Sequence, residues 1–152
     1  MIVEALREDS KRLTEISLMS KAYWNYTEEQ ISTWKEDLTI QPEIFDHWRG
    51  SKYVLDDKIV GFYLLNRVNS RTCILEFLFV EPSYIGKGIG KELIDHAIES
   101  CRENSCEVLN VLSDPNAENF YAKQGFEVLS LKESSIKGRL LPEMELEFPE
   151  NM

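Results

Sequence analysis

The sequence predicts an α/β (α+β) fold in which a mixed sheet carries helices on both faces. The first observation behind that expectation is the element order, which reads strand, two helices, three strands, helix, strand, helix, two strands. The second is size: 152 residues with an apolar share of 43% match one domain with a sizeable core. The third is continuity. No internal repeat, low-complexity stretch or linker interrupts the chain, so residues 1–152 are expected to form a single domain.

Met1–Arg7 reads as the first strand. Asp9 or Ser10 can cap a helix over roughly 11–24, where Leu13, Ile16, Met19 and Tyr23 recur at helical spacing. Thr27 and Gln30 have the spacing of a capping box, which predicts a second helix through Leu38. Gln41–Gly50 is less regular and contains Pro42. Lys52–Asp56 is a short strand ending in the turn signal Asp56-Asp57. Ile59–Val68 is a longer apolar strand with Gly61 marking a bulge, and Asn69-Ser70 supplies the next turn. Thr72–Val80 (TCILEFLFV) is strongly apolar and stops before Pro82. After the glycine-rich Tyr84–Gly90, Lys91–Cys101 places Leu93, Ile94, Ala97 and Ile98 on one face of an amphipathic helix. Val108–Leu112 reads as a buried strand, and Asn116–Gln124 as a short helix stopped by Gly125. Phe126–Leu131 and the alternating Met144–Phe148 (MELEF) complete the strands, and the residues after Pro149 read as a loosely held end.

Composition narrows the function classes. A formal net charge of -10 is a poor footing for nucleic-acid binding, which needs a basic face to replace counterions. The same charge either keeps the protein soluble or draws a cationic substrate towards a cleft. Cys73, Cys101 and Cys106 are odd in number and contain no Cys-x-x-Cys pair, which argues against a disulfide framework and a zinc site. Cys73 and Cys106 lie in apolar runs and read as buried small hydrophobes. His47 and His96 lack local metal-ligand spacing, and no metal is expected. The N-terminus shows no apolar signal region and no run approaches membrane-spanning length. A soluble cytoplasmic protein without membrane partners is the default expectation.

The central chemical signal is a strand, then Glu81-Pro82-Ser83-Tyr84-Ile85-Gly86-Lys87-Gly88-Ile89-Gly90, then a helix. A helix N-terminus offers unpaired N–H groups and partial positive charge, and glycines before it let the backbone curl around an anion. Lys87 and Lys91 can add charge, and a pyrophosphate is the natural guest. Two other phosphate motifs fail on spacing. The dinucleotide fingerprint finds Lys91 where its third glycine should stand, and a P-loop finds Ile85 and Glu92 in place of Gly and Ser or Thr. Taken alone, the glycines fit a plain turn about as well as a binding loop.

The stretch Leu78-Phe79-Val80-Glu81-Pro82-x-Tyr84-x-Gly86-Lys87-Gly88-Ile89-Gly90 resembles motif A of the GNAT superfamily of N-acetyltransferases. Asp114-Pro115-Asn116-Ala117-x-x-Phe120-Tyr121-x-x-x-Gly125-Phe126 resembles a later motif of that superfamily. A helix and a strand separate the two, in the family's order. Together they anchor roughly residues 52–132. The ending from Ser135 through Gly138-Arg139-x-Leu141-Pro142-x-Met144 looks like the tail of a GNAT subgroup. The resemblance implies a GNAT-like mixed, mostly antiparallel sheet of six to seven strands flanked by about four helices. One departure stands out: Ile85 occupies the family's Arg or Gln position, which implies altered cofactor affinity rather than lost binding.

The resemblance also implies roles. Acetyl-CoA is the cosubstrate, bound through the backbone of Leu78, Phe79 and Val80 and through Ile85, Gly86, Lys87, Gly88, Ile89, Gly90 and Lys91, with Asn116 and Phe120 contributing. A strand amide near Leu78 can stabilise the developing oxyanion. Glu76, the one charge in Cys73–Val80, needs a partner or water there; it either pairs with a structural cation or serves as general base. Tyr121 matches the family tyrosine that protonates the departing thiolate, or packs on the sheet beside Phe120. Asn116 either bonds the pantetheine amides or caps its helix, with Asp114 an equal candidate for the cap. Tyr23, Trp24, Tyr26, Trp34 and Trp48 fall where the acceptor cleft of such folds is built; rings there can hold a cation, and more often they are core or a homodimer contact. The function implied is acetyl transfer to an amine of a small molecule, an amino-acid derivative or a peptide N-terminus. A non-catalytic acetyl-CoA sensor is the alternative, as is an interaction protein whose turn binds nothing.

Overall fold

A computed structural model describes residues 1–24, 26–134 and 138–148; Ser135 of the tail motif and the residues after Pro149 lie outside them. The strands are β1 (Ile2–Glu4), β2 (Arg49–Leu55), β3 (Lys58–Arg67), β4 (Thr72–Val80), β5 (Val108–Leu112), β6 (Glu127–Glu133) and β7 (Leu140–Glu147). The helices are α1 (Ser10–Tyr23), α2 (Glu28–Leu38), α3 (Ile89–Glu103) and α4 (Glu118–Lys123). Strand order is β1-β2-β3-β4-β5-β7-β6. β4 and β5 pair in parallel, with α3 between them in the chain, while β1–β2, β2–β3, β5–β7 and β6–β7 pair antiparallel. The sheet is therefore mixed and mostly antiparallel, as the fold reading expects.

The chain divides into two compact units. One comprises Met1–Leu65 and Phe77–Ala97, and the other Asn66–Glu76 with the described residues from Ile98 onward. In the first, Leu13 and Ile16 on α1 pack with Ala5, Ile40, Phe62, Leu64 and Phe77. Leu13, Ile16, Phe62 and Leu64 are fully buried. Burial of each such side chain is worth about 1.5–3 kcal/mol, so this cluster fixes α1 on its strands. α2 opens with the expected capping box. The Gln30 amide donates to Thr27 Oγ1 and the Thr27 amide to Gln30 Oε1, both at 3.0 Å. α1 differs from expectation. Asp9 precedes it without capping it, because its carboxylate accepts from the Leu6 amide at 2.8 Å and from Lys52 Nζ at 2.7 Å instead. Between β2 and β3, Asp56 and Asp57 take φ of 51° and 62°, the left-handed pair of a tight hairpin. The irregularity in that hairpin falls between Tyr53 and Val54, opposite Ile59 and Gly61, so Val60 is the extra residue.

In the second unit, Asn69 Oδ1 accepts the Arg71 and Thr72 amides at 2.8 and 2.9 Å and turns the chain into β4. Gly125 leaves α4 at φ 100°. β7 begins at Leu140, earlier than the alternating MELEF segment suggests. Pro142 is tolerated there: it pairs with Leu131 of β6, and its carbonyl accepts from the Ser113 amide at 2.8 Å. Among the described residues, no helix is long and apolar enough to cross a membrane.

Candidate active site

The first set of site residues lies in the first unit. β4 ends at Val80 and the next residue, Glu81, is buried at 7% exposure. A buried carboxylate requires charge and hydrogen-bond partners. Glu81 receives Arg12 Nη2 and Lys58 Nζ, each at 3.2 Å, while its amide donates to the Val60 carbonyl at 2.8 Å. Arg12 also donates to the Ile59 carbonyl at 2.9 Å. Glu81 thus ties α1 and β3 to the point where the glycine turn begins. In the sequence Glu81 stands within the motif that closes the strand. A lone acid between an apolar strand and a proline is the signal that could have marked it.

Pro82–Tyr84 form one 3-10 turn, Ile85 is extended, and Gly86 and Gly88 take φ of 86° and 81°. These dihedrals belong to the left-handed region that side chains avoid, and they select glycine. A Cβ at either would meet no protein atom within 4 Å, so the space beside the turn is open. The Glu92 amide donates to the Gly88 carbonyl at 3.1 Å. The amides of Ile89, Gly90 and Lys91 precede that first helical bond and have no intrahelical acceptor. Helix geometry therefore presents main-chain donors and the positive end of α3 at an open, glycine-curved turn, which fits a diphosphate.

The side chains add less than expected. Ile85 is exposed, Lys87 Nζ lies 5.7 Å from the Tyr84 ring centre, and Lys91 bonds Asp95 at 2.6 Å. Leu78, Phe79 and Val80 are half-buried, and the Phe79 ring packs at 6.3 Å from Phe62 and 6.1 Å from Phe77.

The second set lies in the second unit. The β4–β5 ladder ends at Leu75–Val111, and Glu76 is the first β4 residue past it. Its carboxylate accepts from Asn66 Nδ2 at 2.9 Å. The Asn66 amide is neutral, so it orients the carboxylate without supplying the charge that a structural cation would. Asn66 was not foreseen, because nothing in its sequence position marks it as a partner of a residue on the next strand. Tyr121 on α4 is buried and meets Phe120 and Phe126 edge to face at 5.2 and 5.4 Å. Burial raises its proton affinity well above that of a free phenol, and the charge of Asp114 adds to this. Tyr121 is thus held in its neutral, protonated form. Asp114 caps the 3-10 turn Pro115–Ala117 that leads into α4: its Oδ1 accepts the Asn116 amide at 2.9 Å and Asn116 Nδ2 at 3.0 Å, while α4 itself starts after Ala117 without a side-chain cap. Arg139 Nη2 reaches Asp114 Oδ2 at 3.2 Å and balances that charge.

Known proteins resemble this chain along most of its length. The family model described as "Acetyltransferase (GNAT) family" matches residues 11–126. A peptidyl-lysine N-acetyltransferase, YjaB of Salmonella typhimurium, is 28% identical over 86% of this chain and 79% of its own length. YjaB of Escherichia coli is 30% identical over 60% of this chain and 58% of its own length. Among solved structures, a GCN5-related N-acetyltransferase from Rhodopseudomonas palustris superposes with a TM-score of 0.81 at 24% identity, covering 97% of this chain and 95% of that one. PaiA N-acetyltransferase from Thermoplasma acidophilum, solved in complex with coenzyme A, gives 0.75 at 21% identity, covering 97% and 99%.

Proposed function

Because this chain belongs to the acetyltransferase (GNAT) family and is thereby an acetyl-CoA-dependent acyltransferase, we propose that it acetylates a primary amine by direct attack on the thioester. The observation that carries this reading is the left-handed Gly86–Gly88 turn, which opens α3 beside space that no protein atom fills at either glycine's Cβ position. The main-chain amides at the start of α3 hold the diphosphate of the cosubstrate, and the backbone of Leu78–Val80 lies along its pantetheine arm. Both YjaB relatives carry the name peptidyl-lysine N-acetyltransferase, and a net charge of -10 favours a cationic acceptor. A lysine amine on a peptide is the acceptor class this combination favours, ahead of small amines and peptide N-termini.

In this scheme Glu76, oriented by Asn66, takes a proton from the ammonium, directly or through water. The neutral amine forms its bond to the carbonyl carbon as the carbon–sulfur bond breaks, and Tyr121 gives its proton to the departing sulfur; the proton left over on the product nitrogen passes through solvent to the Tyr121 phenolate, and Glu76 returns its own proton to solvent. The thioester supplies the activated acyl group. Holding both reactants in place supplies much of the acceleration.

Calorimetry with acetyl-CoA, followed by a thiol-release assay over lysine peptides, N-terminal peptides and small amines, tests the proposal. Saturable heat and thiol release dependent on a lysine peptide are expected. No heat at millimolar acetyl-CoA would sink the reading. Binding without release for any amine would make the protein an acetyl-CoA sensor.

A further inference from the structure

We infer that Cys73, Cys101 and Cys106 form a binding site for a soft divalent d10 cation, zinc or cadmium in class, held by three thiolates. The three come from different elements of the second unit: Cys73 from β4, Cys101 from the last turn of α3, and Cys106 from the turn that follows. Their sulfurs all lie within 4.8 Å of one another, and none of the three residues is more than 5% exposed. Cys73 Sγ and Cys106 Sγ are in contact at 2.6 Å. The Cys73–Cys106 contact is a thiol–thiol hydrogen bond, and Cys101 brings a third sulfur within the same 4.8 Å, so three soft donors share one small buried volume.

Dimensions and charge both suit such an ion. With zinc–sulfur bonds near 2.3 Å, thiolates around one cation stand about 3.8–4.0 Å apart. Opening the Cys73–Cys106 contact by about 1.3 Å, a side-chain rotation, would meet that spacing. Arg67 is pinned beside the cluster's loops by bonds to the Ser70 and Asn104 carbonyls, each at 2.7 Å, and to that of Asn69 at 3.2 Å. Its positive charge is felt at both Cys73 and Cys106. Three thiolates around one divalent cation carry one net negative charge, and the exposed Arg67 guanidinium offsets it in part through solvent. A monovalent ion would leave two negative charges over. Each thiol that binds as thiolate releases its proton to solvent. Asn104 and Ser105, exposed beside Cys106, mark the side from which an ion enters. A bound cation would fasten β4 to the end of α3 and the turn after it.

The test uses the full chain, reduced with a phosphine, stripped with a chelator and titrated with cadmium chloride. A thiolate-to-cadmium absorption saturating at one cation per chain is expected, with a matching mass in the native spectrum and a Tm that rises with cadmium. Cys73→Ala, Cys101→Ala and Cys106→Ala should each lose the saturable absorption and the cadmium-dependent Tm rise, with far-UV dichroism checking the fold. Absorption retained in any one of the three overturns the three-thiolate site. Should a variant fail to fold, the wild-type chain decides: no saturable absorption and no cation retained through gel filtration overturns the inference. So does a reduced sample that takes up no cadmium and reoxidises to a Cys73–Cys106 disulfide. Acetyl-CoA calorimetry on the same stripped sample is independent of these outcomes.

Discussion

At the start of α3 the groups on offer are main-chain amides, and the Ile85 and Lys87 side chains around them are exposed and exchangeable. Around Tyr121 the materials are reversed. There a buried phenol, two aromatic rings at 5.2 and 5.4 Å and a turn-capping aspartate do the positioning, and the backbone only carries them. The contrast teaches where substitution should bite. A backbone site fails when its dihedrals are disturbed. A side-chain site fails when one functional group is removed.

The largest expected effect falls on the side-chain region. Tyr121→Phe should lower turnover by roughly a hundredfold or more, the usual contribution of a positioned acid, with acetyl-CoA affinity unchanged by calorimetry. Equal turnover in the variant would remove Tyr121 from the acid role. The same residue gives a pH signature. The folded chain keeps the Tyr121 proton more firmly than the unfolded chain, where a tyrosine ionises near pH 10. Its contribution to stability is therefore intact below about pH 10 and declines as pH rises beyond it. Urea unfolding carried into alkaline solution should show that decline, and Tyr121→Phe should flatten it.

The backbone region comes next. Gly88→Ala forces an alanine into φ near 81°, at a cost of about 1–2 kcal/mol, and should weaken acetyl-CoA binding roughly tenfold while sparing turnover at saturation. Unchanged affinity would mean the turn does not grip the diphosphate.

Glu81→Gln sharpens the comparison by removing a side-chain anchor from beneath the backbone site. Arg12 and Lys58 lose their shared carboxylate, and a loss of about 2 kcal/mol, or roughly 4–8 °C in Tm, is expected by calorimetric scanning. Smallest of all, Ile85→Arg adds an exposed cation beside the turn. It should tighten acetyl-CoA binding by about two- to fivefold, an effect that fades with salt.

Element type and order were legible because they rest on local rules. The capping box at Thr27, the Asp56-Asp57 hairpin and the apolar Thr72–Val80 strand each appear where their neighbours in sequence require them. Boundaries drifted where a tertiary partner intervened. Lys52 drew Asp9 away from its cap, and pairing with β5 and β6 recruited Leu140–Glu143 into β7.

The glycine turn was legible in the sequence because glycine permits positive φ at no steric cost; that residues 86 and 88 adopt it and Gly90 does not was decided by the fold around them. Spacing could not show the Asn66–Glu76 contact, the carboxylate of Glu81 shared by Arg12 and Lys58, or the meeting of three cysteines. Each of these joins groups from separate elements. Burial then sets what those groups can do, since low-dielectric surroundings make a neighbour's charge or hydrogen bond count for far more than position along the chain.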